Sequence, residues 1–369
     1  MATISEQDVL EALRPIVDPD FGRSIVELGF IKKLRIDGSR VAFDIELTTP
    51  ACPVKAEFEK AARTRVAALP GVTDVAVTMT SNTRGRAAAA ASPQEPRADV
   101  LPGVANVIAV ASGKGGVGKS TVAINLALAL REMGARVGVL DADVYGPSLP
   151  LLTGTTGRPQ MRDKKIIPLQ GYGLLLMSMG FFVDEDSPVI WRGPMVHGLI
   201  RQFLTDVEWG ELDYLILDMP PGTGDAALTL TQQAPLAGAV IVTTANDLSL
   251  IDARKGLSMF EKVSVPVLGI VENMSFFAPP DLPDRKYYLF GKGGGARVAG
   301  ELGVDFLGEV PIDPRVVEGG DQGKPILAYA PDSPPAVALR EITAKIVRKL
   351  AVLGEKSPKI ADANITWIS

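Results

Sequence analysis

The chain has 369 residues, 46% hydrophobic and 22% charged, a balance that supports packed cores and excludes a disordered or fibrous protein. Its length exceeds what one core usually serves, so one large domain with a smaller companion is expected. A net charge of -5 without a long Lys/Arg run offers no basic face to nucleic acid or anionic membrane, and the single cysteine, Cys52, excludes an intrachain disulfide or a metal site built from several thiolates of one chain.

The N-terminus, MATISEQDVL, lacks the basic-then-apolar order of a signal peptide, and no apolar run reaches the roughly 18 residues of a membrane span. A cytoplasmic protein without stable membrane association is expected. Ser5 opens a helix with an acid three residues on; Val9, Leu10, Leu13 and Ile16 continue it at helical spacing until Asp18-Pro19-Asp20. Residues 29–36 and 40–47 alternate and are split by Asp37-Gly38, which predicts a hairpin. A helix over 54–69 and a strand over 72–79 complete a small α+β domain, placed at residues 1–83. Residues 84–102, RGRAAAAASPQEPRADVLP, read as a linker.

From 103 to 353 short apolar runs alternate with helical stretches, as at 107–111, 136–140, 214–217, 239–243 and 267–271. Strands that are apolar without alternation, joined by helices, imply an α/β fold with a mainly parallel sheet covered on both faces. A helix over 335–350 is followed by a tail, 354–369, that is polar apart from Ile365, Trp367 and Ile368.

Ligands of such sheets bind beyond the carboxyl ends of the strands. There the segment Gly113, Lys114, Gly115, Gly116, Val117, Gly118, Lys119, Ser120, with Thr121 after it, fits GxxxxGK[ST] between a strand and a helix. Its amides can curl around a phosphate, Lys119 can reach the terminal phosphates, and Ser120 can ligate Mg2+. The same glycines also satisfy GxGxxG, with Asp141 where a dinucleotide fold wants its ribose-binding acid, so the loop alone also fits a nicotinamide enzyme. The strand YLILD, ending at Asp218 ahead of MPPGTG, supplies a second acid for the magnesium shell and favours a nucleoside triphosphate. Asp141 and Asp143 alternate at another strand end, so one can support the loop while the other faces the γ-phosphate and its attacking water. Asn273 offers donor and acceptor to the edge of an adenine.

Taken in order, SGKGGVGKST, LDADVYGPS, LDMPPGTGD, ENMS and VPID, with Arg192 in WRGPM, resemble the Mrp (ApbC) family of iron-sulfur cluster carriers, within the MinD/ParA class of P-loop ATPases. The resemblance spans nearly all of residues 103–350. Ahead of it, DPDFGRSIVELGFI and TTPACPVK resemble the small domain often fused to these ATPases and also used alone in iron-sulfur protein maturation. The resemblance implies an ATPase that works as a homodimer with ATP and Mg2+, and delivers clusters to apoproteins alongside assembly factors. It implies that Lys114 is the signature lysine that reaches the partner subunit's phosphates, that Asp143 orients the water, and that Asp218 acts through Mg2+. It further implies that Asn273 reads adenine and that the segment from Pro311 to Asp313 lines the base.

One departure leaves the cargo open. Most of the family carries Cys-x-x-Cys shortly after ENMS, with which two subunits hold a [4Fe-4S] cluster; ungapped alignment from Glu272 places Pro279 and Leu282 there. Some members, chloroplast ones included, resemble this chain in RKYY-FGKG and also lack the pair. Cys52 is then the remaining candidate for cluster or target contact, its thiolate favoured by a helix start, against the plainer reading of a small buried hydrophobe. His197 has no partner at ligand spacing and reads as structural or surface. Phe276, Phe277, Tyr287, Tyr288 and Phe290 read as a local mini-core, with a partner-binding patch as the alternative. The competing reading of the whole is a positioning or partition ATPase of the MinD/ParA kind without a cluster.

Overall fold

The computed structural model describes residues 4–81, 100–182 and 193–355. Helix α1 (Glu6–Leu13) starts on a capping box: the Ser5 hydroxyl accepts from the Asp8 amide and the Asp8 carboxylate accepts from the Ser5 amide. It ends earlier than the apolar spacing suggests, because Pro15 cannot continue the ladder; Ile16 is buried outside the helix. After the short ladder of β1 (Val17–Asp18) and β2 (Arg23–Ser24), β3 (Ile31–Asp37) and β4 (Arg40–Leu47) form the expected hairpin. Helix α2 (Lys55–Ala67) returns the chain so that β5 (Asp74–Ser81) runs parallel to β4. Alternate residues Val41, Phe43, Ile45 and Leu47 pack with Phe58, Ala62 and Val66 of α2 to form this unit's core.

The second unit follows in the order β6 (Val104–Ala111), α3 (Lys119–Glu132), β7 (Val137–Asp141), α4 (Leu149–Thr153), β8 (Gln160–Arg162), β9 (Lys165–Ile167), β10 (Leu169–Gly171) and β11 (Leu174–Ser178). Then come α5 (Gly193–Thr205), β12 (Leu212–Asp218), α6 (Asp225–Gln233), β13 (Leu236–Thr243), α7 (Asp247–Lys262), β14 (Val267–Phe277) and α8 (Gly294–Leu302). The order closes with β15 (Phe306–Ile312), α9 (Pro314–Asp321), α10 (Ile326–Tyr329) and α11 (Pro334–Glu355). Eight strands form one sheet, β10-β11-β7-β12-β6-β13-β14-β15, parallel except for the edge strand β10. Apolar clusters cover both faces, one built with α3 and α11 and the other with α5 and α7, which is why β12 and β13 are apolar without alternation.

From β6 the chain leaves to one side for β7 and later fills the other side with β13 and β14. This reversal opens a crevice at the carboxyl end of β6, where the glycine-rich loop lies. The small unit docks at the other end of the sheet. The buried hydroxyls of Thr49 and Tyr214 lie 2.6 Å apart in a hydrogen bond, Ala51 joins the apolar cluster beneath α3, and Arg348 of α11 faces Asp20 at 3.6 Å. Most of the expected linker, Arg192, and the tail beyond Glu355 lie outside the described residues; Leu101, at the linker's end, is buried in the second unit.

Candidate nucleotide site

The loop between β6 and α3 turns at Gly116 and Gly118, both at φ +78°, a conformation that residues with a Cβ rarely adopt. A Cβ on Gly118 would fall 2.2 Å from the side-chain nitrogen (Nδ2) of Asn273, and one on Gly113 would fall 2.2 Å from the backbone of Asp252 in α7. Both glycines are therefore needed for close approach as well as for turning. Helix α3 starts at Gly118 without a side-chain cap, so its first amides are free to meet an anion. Gly222, in the loop after β12, donates its amide to the Ser112 carbonyl (2.9 Å), tying the two loops together.

Lys119 and Asp218 are buried and form an ion pair. The Lys119 ammonium also donates to the Ser120 hydroxyl at 3.2 Å, and that hydroxyl is near enough to Asp218 to pull its carboxyl down. Cation, hydroxyl and carboxylate thus converge where a phosphate and its metal would sit, and Ser120 with Asp218 is a donor set that fits Mg2+. Burial pushes the Asp218 carboxyl up, against the pull of Lys119 and Ser120.

Asp141 is the register partner of Asp218 across β7 and β12. It takes the supporting role: its carboxylate accepts from the Asp143, Ser148 and Leu149 amides and from the Ser178 hydroxyl. Burial first, and the neighbouring Asp218 second, push it up to about 7 despite those donors. The folded state therefore holds a proton that the unfolded chain has released between the ordinary carboxylate range and about 7. Stability of the nucleotide-free protein should fall as pH rises through that window and level off above it. Urea midpoints at pH 5 and pH 7.5 check this slope, which Asp141→Asn should flatten.

Asp143 is half-buried, accepts from the Gly146 amide (3.1 Å), and is near enough to raise Asp218. Asn273 is buried and donates to the Val117 carbonyl at 2.9 Å, so one of its two N–H groups holds the loop. Pro311 is buried one residue beyond Val310, the register partner of Asn273. Asp313 caps α9 and is held by Arg315, which keeps its carboxyl below the ordinary range. Lys114 is half-exposed on the rim, its carbonyl accepting from Ser112.

Cys52 is not part of this constellation. It lies in a narrow cleft between the units, lined by Asp18, Asp20, Thr49 and Arg348, at the opposite end of β12 from Asp218. The helix start was expected to favour its thiolate. Instead burial pushes the thiol up, Asp18 and Asp20 add to this, and the Val54 amide opposes it only in part. His197 meets the Thr229 hydroxyl (3.2 Å) between α5 and α6. The rings at 276–290 do not form a buried core. The supports Ser148 and Ser178 and the Thr49–Tyr214 bond were not foreseen, since nothing in residue spacing pairs positions that only the sheet brings together.

A family model described as NUBPL iron-transfer P-loop NTPase (ParA) matches residues 103–347, and one for iron-sulfur cluster assembly proteins matches residues 6–79. The chain belongs to the NUBPL iron-transfer P-loop NTPase family. Within that family it is 51% identical to the iron-sulfur cluster carrier protein of Synechocystis over 93% of this chain and 97% of that one. It is 48% identical to the chloroplastic Fe-S cluster assembly factor HCF101 of Arabidopsis thaliana, over 96% of this chain and 66% of that one. A nucleotide-binding protein of Archaeoglobus fulgidus, solved with ADP, is 41% identical and superposes with a TM-score of 0.55, covering 61% of this chain and 89% of that one. For this NTPase, relatives named as carriers along nearly the whole chain favour the carrier reading over a positioning ATPase, and Lys119, Ser120 and Asp218 leave no place for the nicotinamide reading.

Proposed function

We propose that the protein binds and hydrolyses Mg-ATP as a cytoplasmic homodimer and carries iron-sulfur clusters to apoproteins. The observation that carries the ATP part is the buried Lys119–Asp218 pair with Ser120 beside it, at the uncapped start of α3. Phosphates entering the loop take Lys119 for themselves, and Ser120 and Asp218 would hold the Mg2+ whose charge offsets that of the phosphate oxygens. Asp143 orients the attacking water, and the remaining N–H and the carbonyl oxygen of Asn273 read the adenine edge beside Pro311 and Asp313. Lys114 has no ion pair within its own chain among the described residues and extends to the partner subunit's phosphates, where negative charge builds in the transition state.

The cluster is cargo. Its carriage is supported by the family of both units and by Cys52, the sole thiol, in the domain shared with iron-sulfur assembly proteins. Anaerobic reconstitution followed by desalting should leave iron and sulfide on the wild type, and several-fold less on Cys52→Ala. Equal retention by both would remove Cys52 from cluster handling.

A further inference from the structure

The segment that stands in place of the family's cysteine pair is built as a surface. Strand β14 ends at Phe277, whose amide and carbonyl exchange hydrogen bonds with Tyr287 at 2.9 and 2.8 Å, so residues 278–286 form the tip of a hairpin beyond the sheet. Behind the tip, the backbone presses on the Ala245 carbonyl: a Cβ on Gly291 or Gly294 would lie 3.2 or 2.4 Å from that oxygen. The hairpin is thus anchored at its base, on the same strand whose Asn273 holds the phosphate loop.

Phe276, Phe277 and Tyr288 are half-buried, but four of its apolar side chains stay outside. Leu282 is 48% exposed, Tyr287 41%, Leu289 62% and Phe290 42%. Three cations stand over ring faces: the Lys286 ammonium lies 4.0 Å from the centre of Phe276, that of Lys292 lies 5.0 Å from Tyr288, and the Arg285 guanidinium lies 6.0 Å from Tyr287. A ring face holds a cation in place without neutralising it. The nearby cations Arg254, Lys255 and Arg297 are paired with Glu301, Asp252 and Asp247. Asp281 and Asp284 share the hairpin tip, yet no ion pair joins Arg285, Lys286 or Lys292 to a carboxylate among the described residues.

We propose that this face docks a carboxylate-rich segment of a partner protein that also carries apolar side chains. Charge complementarity selects that occupant: in a chain of net charge -5, three fixed cations without carboxylate partners are set among exposed apolar groups, so carboxylates and apolar side chains both find contacts. The proposal rests on the carrier reading only in taking the docked protein for a cluster recipient.

The full-length protein, without nucleotide or cluster, is titrated into a fluorescein-labelled peptide of alternating Glu and Leu, and into its Lys/Leu counterpart, with anisotropy as the readout. The Glu peptide should bind and the Lys peptide should not. Lys286→Glu with Lys292→Glu should weaken binding about tenfold or more while ATP turnover stays at the wild-type level, and Leu289→Ser with Phe290→Ser should weaken it through the apolar component. Equal binding of the two peptides, or unchanged binding by both variants, would overturn the proposal. So would loss of turnover and dimer in the charge-reversed variant, which would assign the face to a second copy of this chain. None of these outcomes bears on Cys52 loading, which tests the carrier reading separately.

Discussion

Lys119→Ala should lose nucleotide binding and also weaken the empty fold. The lysine is the counter-ion of Asp218, which is 3% exposed and lies beside Asp141, itself fully buried. Removing one partner of such a pair leaves a desolvated charge, at a cost of roughly 3–5 kcal/mol, part of which protonation of Asp218 relieves because its carboxyl is already pushed up. Affinity for ATP should fall by roughly 100-fold or more as the phosphates lose their cation. Calorimetric titration and urea unfolding read the two effects separately. The double variant Lys119→Ala with Asp218→Asn should recover most of the stability and none of the binding, because neutral groups carry no unpaired charge. Recovery of neither would mean that the pair's role in the empty fold lies elsewhere than in charge.

Lys114→Ala should have a different profile. The Lys114 side chain takes no part in the buried pair, and its backbone remains in the loop, so ATP affinity should stay within a few-fold of wild type. Turnover should fall by about 10³ or more if this lysine acts as arginine fingers do. The in-trans role has a sharper consequence. Mixing Lys114→Ala with Asp143→Ala, each inactive alone, should restore roughly a quarter of wild-type activity, since half the dimers are mixed and each holds one intact composite site. No recovery after subunit exchange would place Lys114 in its own chain's site.

The ATP site was legible because its residues are crowded into short segments with chemical spacing. GKGGVGKS and YLILD each fall at a strand end, and the parallel sheet needs no long-range information to bring Lys119 and Asp218 together once β6 and β12 are neighbours. Helix ends were read less well: α1 stops at Leu13 because of Pro15, although Ile16 keeps the apolar spacing. The excursion through β8, β9 and the antiparallel edge strand β10 carried no distinctive period and was missed. Cys52 shows where local reasoning fails. A helix start lowers a thiol's pKa, but burial in the cleft between the units, with Asp18 and Asp20 of the β1–β2 corner adding to it, pushes this one up against the Val54 amide and Arg348, and those surroundings are set by tertiary contacts. The rings of 276–290 were expected to pack together; Phe276 and Tyr288 do meet at 6.2 Å and, with Phe277, are half-buried, but Tyr287 and Phe290 stay exposed because a hairpin that projects beyond the sheet has no second layer to bury them.

Cluster delivery under nucleotide control is tested most directly by anaerobic transfer. Protein reconstituted with iron and sulfide, then desalted, is mixed with an apo-ferredoxin, and the recipient's [4Fe-4S] absorbance is followed with Mg-ATP, with Mg-ADP and without nucleotide, for wild type and Lys114→Ala. The predicted result is transfer by wild type at a rate that Mg-ATP changes several-fold, an ATP response that Lys114→Ala lacks. Absence of bound iron on the reconstituted wild type, or transfer no faster than from free iron and sulfide in every nucleotide condition, would contradict the carrier function.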